Sequence, residues 1–357
     1  VLLLSCGGLG DTVLFSHVLP RFRELAEPDE TVAVLLRSDG AKTAFLFPSE
    51  IEKIVVDFGR LRKDRGYRRA ICEDLYRRNF RLAVSTDFKR HPDLDEFLLF
   101  TASAAETIAM KARPWSKYQR RLNTNKSRLT RVFDAGPEHV DKVVRWCRFF
   151  DWLTGAVVPP PVANLPQGTV EVKPAPFGRR VFIQPFSAVF AKQSPPELYQ
   201  RLIEGLPDDV QVSITGTDAD LDRNPAYKGL LDRQAVRFDN RTFEAIAPDL
   251  RTCDLVVSVD TALMHLAIAL GAPTLGLASA AYTGEIVPYA PQITPPNAHF
   301  LYRPMHCEGR LGDCIHPMEG GVFPCIARLD RDVVIDTALK LLAGDAVPSV
   351  VTVAESG

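Results

Sequence analysis

Short apolar runs alternate with stretches of helical period along most of the chain. Val1–Leu4 reads as a strand; Gly7, Gly8 and Gly10 break it, and a helical stretch follows to about Leu25. Thr31–Leu36 predicts a second strand, Gly40–Phe47 a helix, and Ile54–Val56 and Leu82–Ser85 further short strands between helical stretches. Val140, Val143, Val144, Cys147, Phe150 and Leu153 place one apolar face on a helix over Glu138–Leu153. Residues 156–180 then carry six prolines and no helical period, which predicts a linker. Beyond it the alternation restarts. Strands are expected at Val181–Gln184, Val210–Thr215 and Leu255–Val259, with helices at Pro196–Gly205, Thr242–Leu250 and Thr261–Leu270. A last helix over Arg331–Ala343 follows a capping Asp330. Two successive βα arrays imply an α/β chain of two Rossmann-like domains, with parallel sheets facing a cleft. The expected division is 1–155, a linker 156–180, a second domain 181–330, and a C-terminal helix and tail 331–357.

Candidate chemistry gathers where strands run into turns. The densest case is Leu255–Leu277, where a strand is followed by Asp260, a helix and a second strand. Asp260 is expected to cap the helix and Gly271 to end it, with Pro273 preventing continuation. Leu263, Leu266, Ala267 and Leu270 form a core-facing stripe, while Thr261, His265 and Ala269 lie on another face. A helix start at the C-terminal edge of a parallel strand favours anionic ligands. A plain capped helix with a tolerated His is the competing reading from the residues alone. The turn Cys6–Asp11 is no dinucleotide fingerprint, because Val13 stands where the third glycine belongs. It delivers Asp11 to a helix start, as a cap or as a reactive carboxylate. Ser187 and Lys192 follow the strand that ends at Gln184, and a hydroxyl with an ammonium suits a diphosphate. Thr215 and Gly216 end another strand, ahead of Asp218, Asp220 and Asp222.

The run from Asp260 to Thr274, D-T-x-x-x-H-L-A-x-A-x-G-x-P-T, resembles the signature of glycosyltransferase family 9, which contains the ADP-heptose:lipopolysaccharide heptosyltransferases. Gly10, Asp11 and Pro20 are similar to that family's N-terminal pattern, and Ser187 and Lys192 to its central segment. The family's usual tryptophan is absent there, with Ser194 ahead of Pro195. The resemblance implies a GT-B fold whose final helix crosses back to the N-terminal lobe. It also implies an inverting, metal-independent glycosyl transfer. Asp11 would be the general base. Gly10, Ser187, Lys192, Thr215, Gly216, Asp260, Thr261, Ala262 and His265 would hold the donor, with an acidic residue on the ribose. The implied donor is ADP-heptose, and the acceptor an anionic glycan or protein. A nucleotide-sugar epimerase or hydrolase of the same fold, or a non-catalytic metal-stapled binding protein, are the alternatives.

Charge and cysteine content add two features. The 357 residues carry a formal charge of −1, yet residues 60–131 hold 19 Lys and Arg against 8 Asp and Glu. Solvated loops or a surface for an anionic acceptor or membrane headgroups would both produce this. No nucleic-acid partner is expected. No apolar run reaches the about 18 residues of a membrane span. The chain opens in a strand without an initiator Met, which leaves room for a removed leader. The simpler expectation is a cytoplasmic protein, free or peripheral on the cytoplasmic face of the inner membrane. Seven cysteines argue against a disulfide framework. Cys307, Cys314 and Cys325 cluster with His306 and His316, as a structural zinc or iron site, as free thiols in an ordered loop or as a disulfide. No cofactor is expected for catalysis itself.

Overall fold

Apart from the edge strand that holds Ile54–Val56, the apolar runs become strands buried on both faces, as parallel sheets require. The computed structural model describes residues 1–172, 178–312 and 314–353, and the chain divides into two units, Val1–Pro161 and Val162–Gly357.

In the first unit the strands are β1 (Leu2–Ser5), β2 (Ala33–Arg37), β3 (Glu52–Val56), β4 (Leu82–Ser85), β5 (Glu106–Met110) and β6 (Arg131–Phe133). Their order is β3-β2-β1-β4-β5-β6, with every pairing parallel. The chain moves outward from β1 in one direction, then returns and moves outward from β4 in the other. The reversal lies between β1 and β4, where loops diverge and leave a crevice above the strand ends. Gly40–Leu46, expected as an α-helix, is a 3₁₀ helix. The helix expected from Glu138 begins at Lys142, because the Asp141 carboxylate accepts from the amides of Val143 and Val144 at 2.8 and 3.3 Å and so caps it there.

In the second unit the strands are β7 (Arg179–Gln184), β8 (Val210–Thr215), β9 (Val236–Asp239), β10 (Leu255–Val259), β11 (Thr274–Leu277), β12 (Ala298–Tyr302) and β13 (Val350–Thr352). The order β13-β12-β11-β10-β7-β8-β9 is again all parallel. Its reversal point lies between β7 and β10. The final helix, Arg331–Ala343, packs inside this unit, against the helix Pro196–Gly205 and β10.

The proline-rich stretch is shared between the units. Arg21 donates to the carbonyls of Val158 and Pro159 in the first unit. In the second, Ala163 N donates to Ile293 O and Leu165 N to Ala269 O, both at 2.8 Å. The part of the expected linker at 173–177 lies outside the described residues. Among the described residues no helix is long and apolar enough to cross a membrane.

Candidate active site

Each unit carries charged side chains at its own reversal point. In the first, β1 ends at Ser5 and the chain turns through Cys6, Gly7 and Gly8 into the helix Leu9–Ser16. Asp11 is the third residue of that helix, and its Oδ2 accepts from the Gly8 amide at 2.8 Å. A side chain on Gly7 would collide with Asp11, so the close fold of the turn requires glycine there. The other oxygen, Oδ1, accepts from the Lys142 ammonium at the start of the helix Lys142–Thr154. Both side chains keep solvent contact, 26% exposed for Asp11 and 23% for Lys142. Asp11 therefore serves the helix start and still offers a carboxylate to solvent. Gly10 precedes it in the same first turn.

In the second unit, Lys192 comes from the loop after β7, and Asp260 directly follows β10. Their Nζ and Oδ2 atoms lie 2.6 Å apart, with side chains only 11% and 5% exposed. The ammonium also lies 3.7 Å from the centre of the Tyr282 ring. Asp260 is thus not the helix cap that its position suggests. Thr261 is the capping residue of the helix Ala262–Ala269 and makes no side-chain bond to it. The near-naked ammonium of Lys192 outcompetes backbone amides for the carboxylate, since charge-assisted bonds are the stronger ones. His265 is buried behind Asp260: its Nε2 is 3.8 Å from Oδ1, and its Nδ1 shares a 2.6 Å hydrogen bond with the Tyr289 hydroxyl. All residues from Leu263 to Ala269 are buried, so the expected single stripe is a helix enclosed on every side.

The other expected donor residues line the same strand ends. Ser187 is partly exposed, and its hydroxyl accepts from the Val189 amide at 3.2 Å. Thr215 is buried and donates to Gln184 Oε1 at 2.5 Å, which ties β8 to β7. At Gly216 a Cβ would lie 2.6 Å from Phe186 Cδ2, so the strand exit passes the ring only as glycine. Of the three aspartates that follow, Asp220 completes a capping box with Thr217 and Asp222 pairs with Lys228 at 3.2 Å. Asp218 accepts from Asn240 at 2.9 Å. Sequence reading missed Tyr282, Gln193 and Ser279. Gln193 Oε1 and Ser279 Oγ are buried without a partner among the described residues. Their one signal was position just beyond apolar runs.

The cysteine segment is compact. Cys307 and Cys325 are buried, and all seven cysteines are free. Burial, and then the Cys314 thiol beside it, push Cys307 up, and burial pushes Cys325 up to about 11. The rings of His306 and His316 meet edge to face, 4.7 Å between centres. Among the described residues no three His, Cys, Asp or Glu side chains are grouped as metal ligands. No chemical step is assigned to a metal at this segment.

Two all-parallel sheets, each with charged groups at its reversal point, place a candidate ligand site at each reversal point. The model of glycosyltransferase family 9 (heptosyltransferase) matches residues 105–306. The chain belongs to glycosyltransferase family 9 and is a glycosyltransferase. No curated protein matches it in sequence. Among solved structures, the family 9 glycosyl transferase from Veillonella parvula DSM 2008 superposes with a TM-score of 0.70 at 15% identity, over 96% of this chain and 97% of that one. The E. coli heptosyltransferase WaaC with ADP gives 0.68 at 17% identity, over 95% and 99%. E. coli ADP-heptose lps heptosyltransferase II gives 0.66 at 15% identity, over 96% and 98%. These likenesses establish the GT-B fold.

Proposed function

We propose that the protein transfers a heptose from ADP-heptose, with inversion at the anomeric carbon, to a hydroxyl of an anionic glycan or protein acceptor. The observation that carries the donor half is the Lys192–Asp260 pair, at the reversal point of the second sheet. Beside it begins a helix with no side-chain cap. A diphosphate arriving there would take hydrogen bonds from Lys192, the Ser187 hydroxyl and the first helical amides at Thr261 and Ala262. Charge builds on that diphosphate as the bond to the sugar breaks, and the same groups stabilise it. ADP is supported by the names of the E. coli proteins above, one crystallised with ADP and one named for ADP-heptose.

The acceptor half rests on Asp11. Its partly exposed carboxylate would take the hydroxyl proton while the oxygen attacks the anomeric carbon and the electron pair leaves on the diphosphate. The basic stretch 60–131 supports an anionic acceptor. Within it Lys89 lies 4.8 Å from the centre of the Trp115 ring, and Tyr118 packs on Trp115 and His91 at 4.7 and 4.4 Å. Aromatic faces beside cations suit sugar rings bearing anionic groups.

Asp11→Asn tests the reading, because asparagine keeps an oxygen for the Gly8 amide. ADP affinity by calorimetry should stay within a few-fold, while turnover of ADP-heptose should fall by roughly 10²- to 10⁴-fold. A folded variant with near-normal turnover would remove Asp11 from the chemistry.

A further inference from the structure

The reversal point of the first sheet holds a second carboxylate that no motif singled out. Asp87 lies two residues past the end of β4, across the reversal from Asp11. Its Oδ2 accepts from the Cys6 amide at 2.6 Å, just as Asp11 accepts from the Gly8 amide at 2.8 Å. The three-residue turn Cys6–Gly8 is therefore fastened at both ends by carboxylates, one beyond each of the two central strands. Asp87 occupies the place in this sheet that Asp260 occupies in the other, and each is matched with a lysine. Here the lysine is Lys142, bonded to Asp11 and near enough to Asp87 to stabilise its charge.

The charged surroundings come from several elements. Arg90, in Asp87's own loop, donates to the Asp87 carbonyl at 3.0 Å, and its charge is met by Glu96 at 3.2 Å, both side chains 2% exposed. Asp95, at the start of the helix Asp95–Thr101, lies close enough to Asp87 to repel it. Arg37, at the end of β2, is held by Asp39 at 2.8 Å. Asp11 and Asp87 thus share the charge of Lys142 once Arg90 and Glu96 have cancelled. Burial, with the negative charge of Asp11 added, pushes Asp87 up to about 6 against the pull of the Cys6 bond. Burial and then Asp87 push Asp95 up to about 7.

We propose that Asp87 is the positioning residue of the candidate base: it fastens the turn that carries Asp11 and sets a negative charge against Lys142 beside it. This rests on Asp11 being the base. A carboxylate beside an ammonium holds a proton more weakly than a free one. A second carboxylate nearby raises its proton affinity, because protonating Asp11 relieves the repulsion between the two.

The test is the pH dependence of kcat/KM for ADP-heptose with a saturating acceptor. Asp87→Asn keeps an oxygen for the Cys6 amide and removes the charge. Its acid limb should move down by about 0.5–1 pH unit, and its plateau rate should fall by roughly 3- to 10-fold. The KM for the donor should stay within about two-fold, since the donor residues belong to the other sheet. Lys142→Met is the second arm and should move the limb upward. An unmoved limb in Asp87→Asn, or a downward or absent shift in Lys142→Met, overturns the proposal. If Asp11→Asn has lost turnover in the same assays, the base reading survives that result. Near-normal turnover in Asp11→Asn overturns both.

Discussion

Lys192 shows how one side chain can serve folding and binding together, and how to separate the two. Lys192→Met removes the ammonium partner of the Asp260 carboxylate, which is 5% exposed. Breaking a buried pair from one side costs about 3–5 kcal/mol, read by urea unfolding. Lys192→Met combined with Asp260→Asn removes both charges and should recover most of that loss. ADP binding should remain weakened by about 1.5–3 kcal/mol in both variants, while adenosine binding should be unaffected. A double variant that binds ADP like the parent would take Lys192 out of the phosphate site. The pairing itself was not legible in the sequence. Asp260 precedes a helix, and capping is a local relation that spacing reveals; its true partner lies 68 residues away. Tyr282 and Asp87 escaped for the same reason. Ser187, Lys192 and Asp11 were legible because each sits just beyond an apolar run and inside a recognisable motif.

At the scale of elements, legibility follows how local the stopping signals are. Pro196–Gly205 and Arg331–Ala343 were read to the residue: proline starts the first, and Asp330, which accepts from the amides of Asp332 and Val333, starts the second. Strands β5, β6, β9, β12 and β13 were missed. Two of the edge strands, β6 and β13, have three residues each and owe their conformation to the neighbouring strand rather than to a pattern of their own. Where two strand ends meet, packing sets the limit. Gly216→Ala would place a Cβ 2.6 Å from the Phe186 ring, itself 2% exposed. Overpacking at such a site costs about 1–3 kcal/mol. The displaced ring carries Ser187 with it, so ADP affinity should fall along with the melting temperature. A variant with unchanged melting and weakened ADP binding would show that the glycine serves the ligand alone.

For the molecule as a whole, two α/β units and parallel sheets were legible from the alternation of periods, because burial on both faces leaves long apolar runs. Strand order was not, since it depends on which strand lies beside which rather than on any one strand's residues. That order has a consequence for how the chain reaches its native state. Leu2 pairs with Ala33 on one side of β1 and with Ala83 on the other. The first partner follows soon after β1 leaves the ribosome, whereas the second arrives only after β2, β3 and the three helices between β2 and β4 have been made. Closing the longer loop carries the greater entropic cost, and parallel sheets of this kind are slow to zip. The Asp11 turn is therefore complete as a stretch of chain well before Asp87 can clasp it. In a pulsed hydrogen-exchange refolding experiment, the Cys6 amide should gain protection after the amides that join β1 to β2. Protection in the reverse order would mean that the sheet nucleates across its reversal point. On the expected order the carboxylate pair forms only when β4 docks, and a chain arrested before that step would have half of its sheet and an Asp11 turn without its clasp.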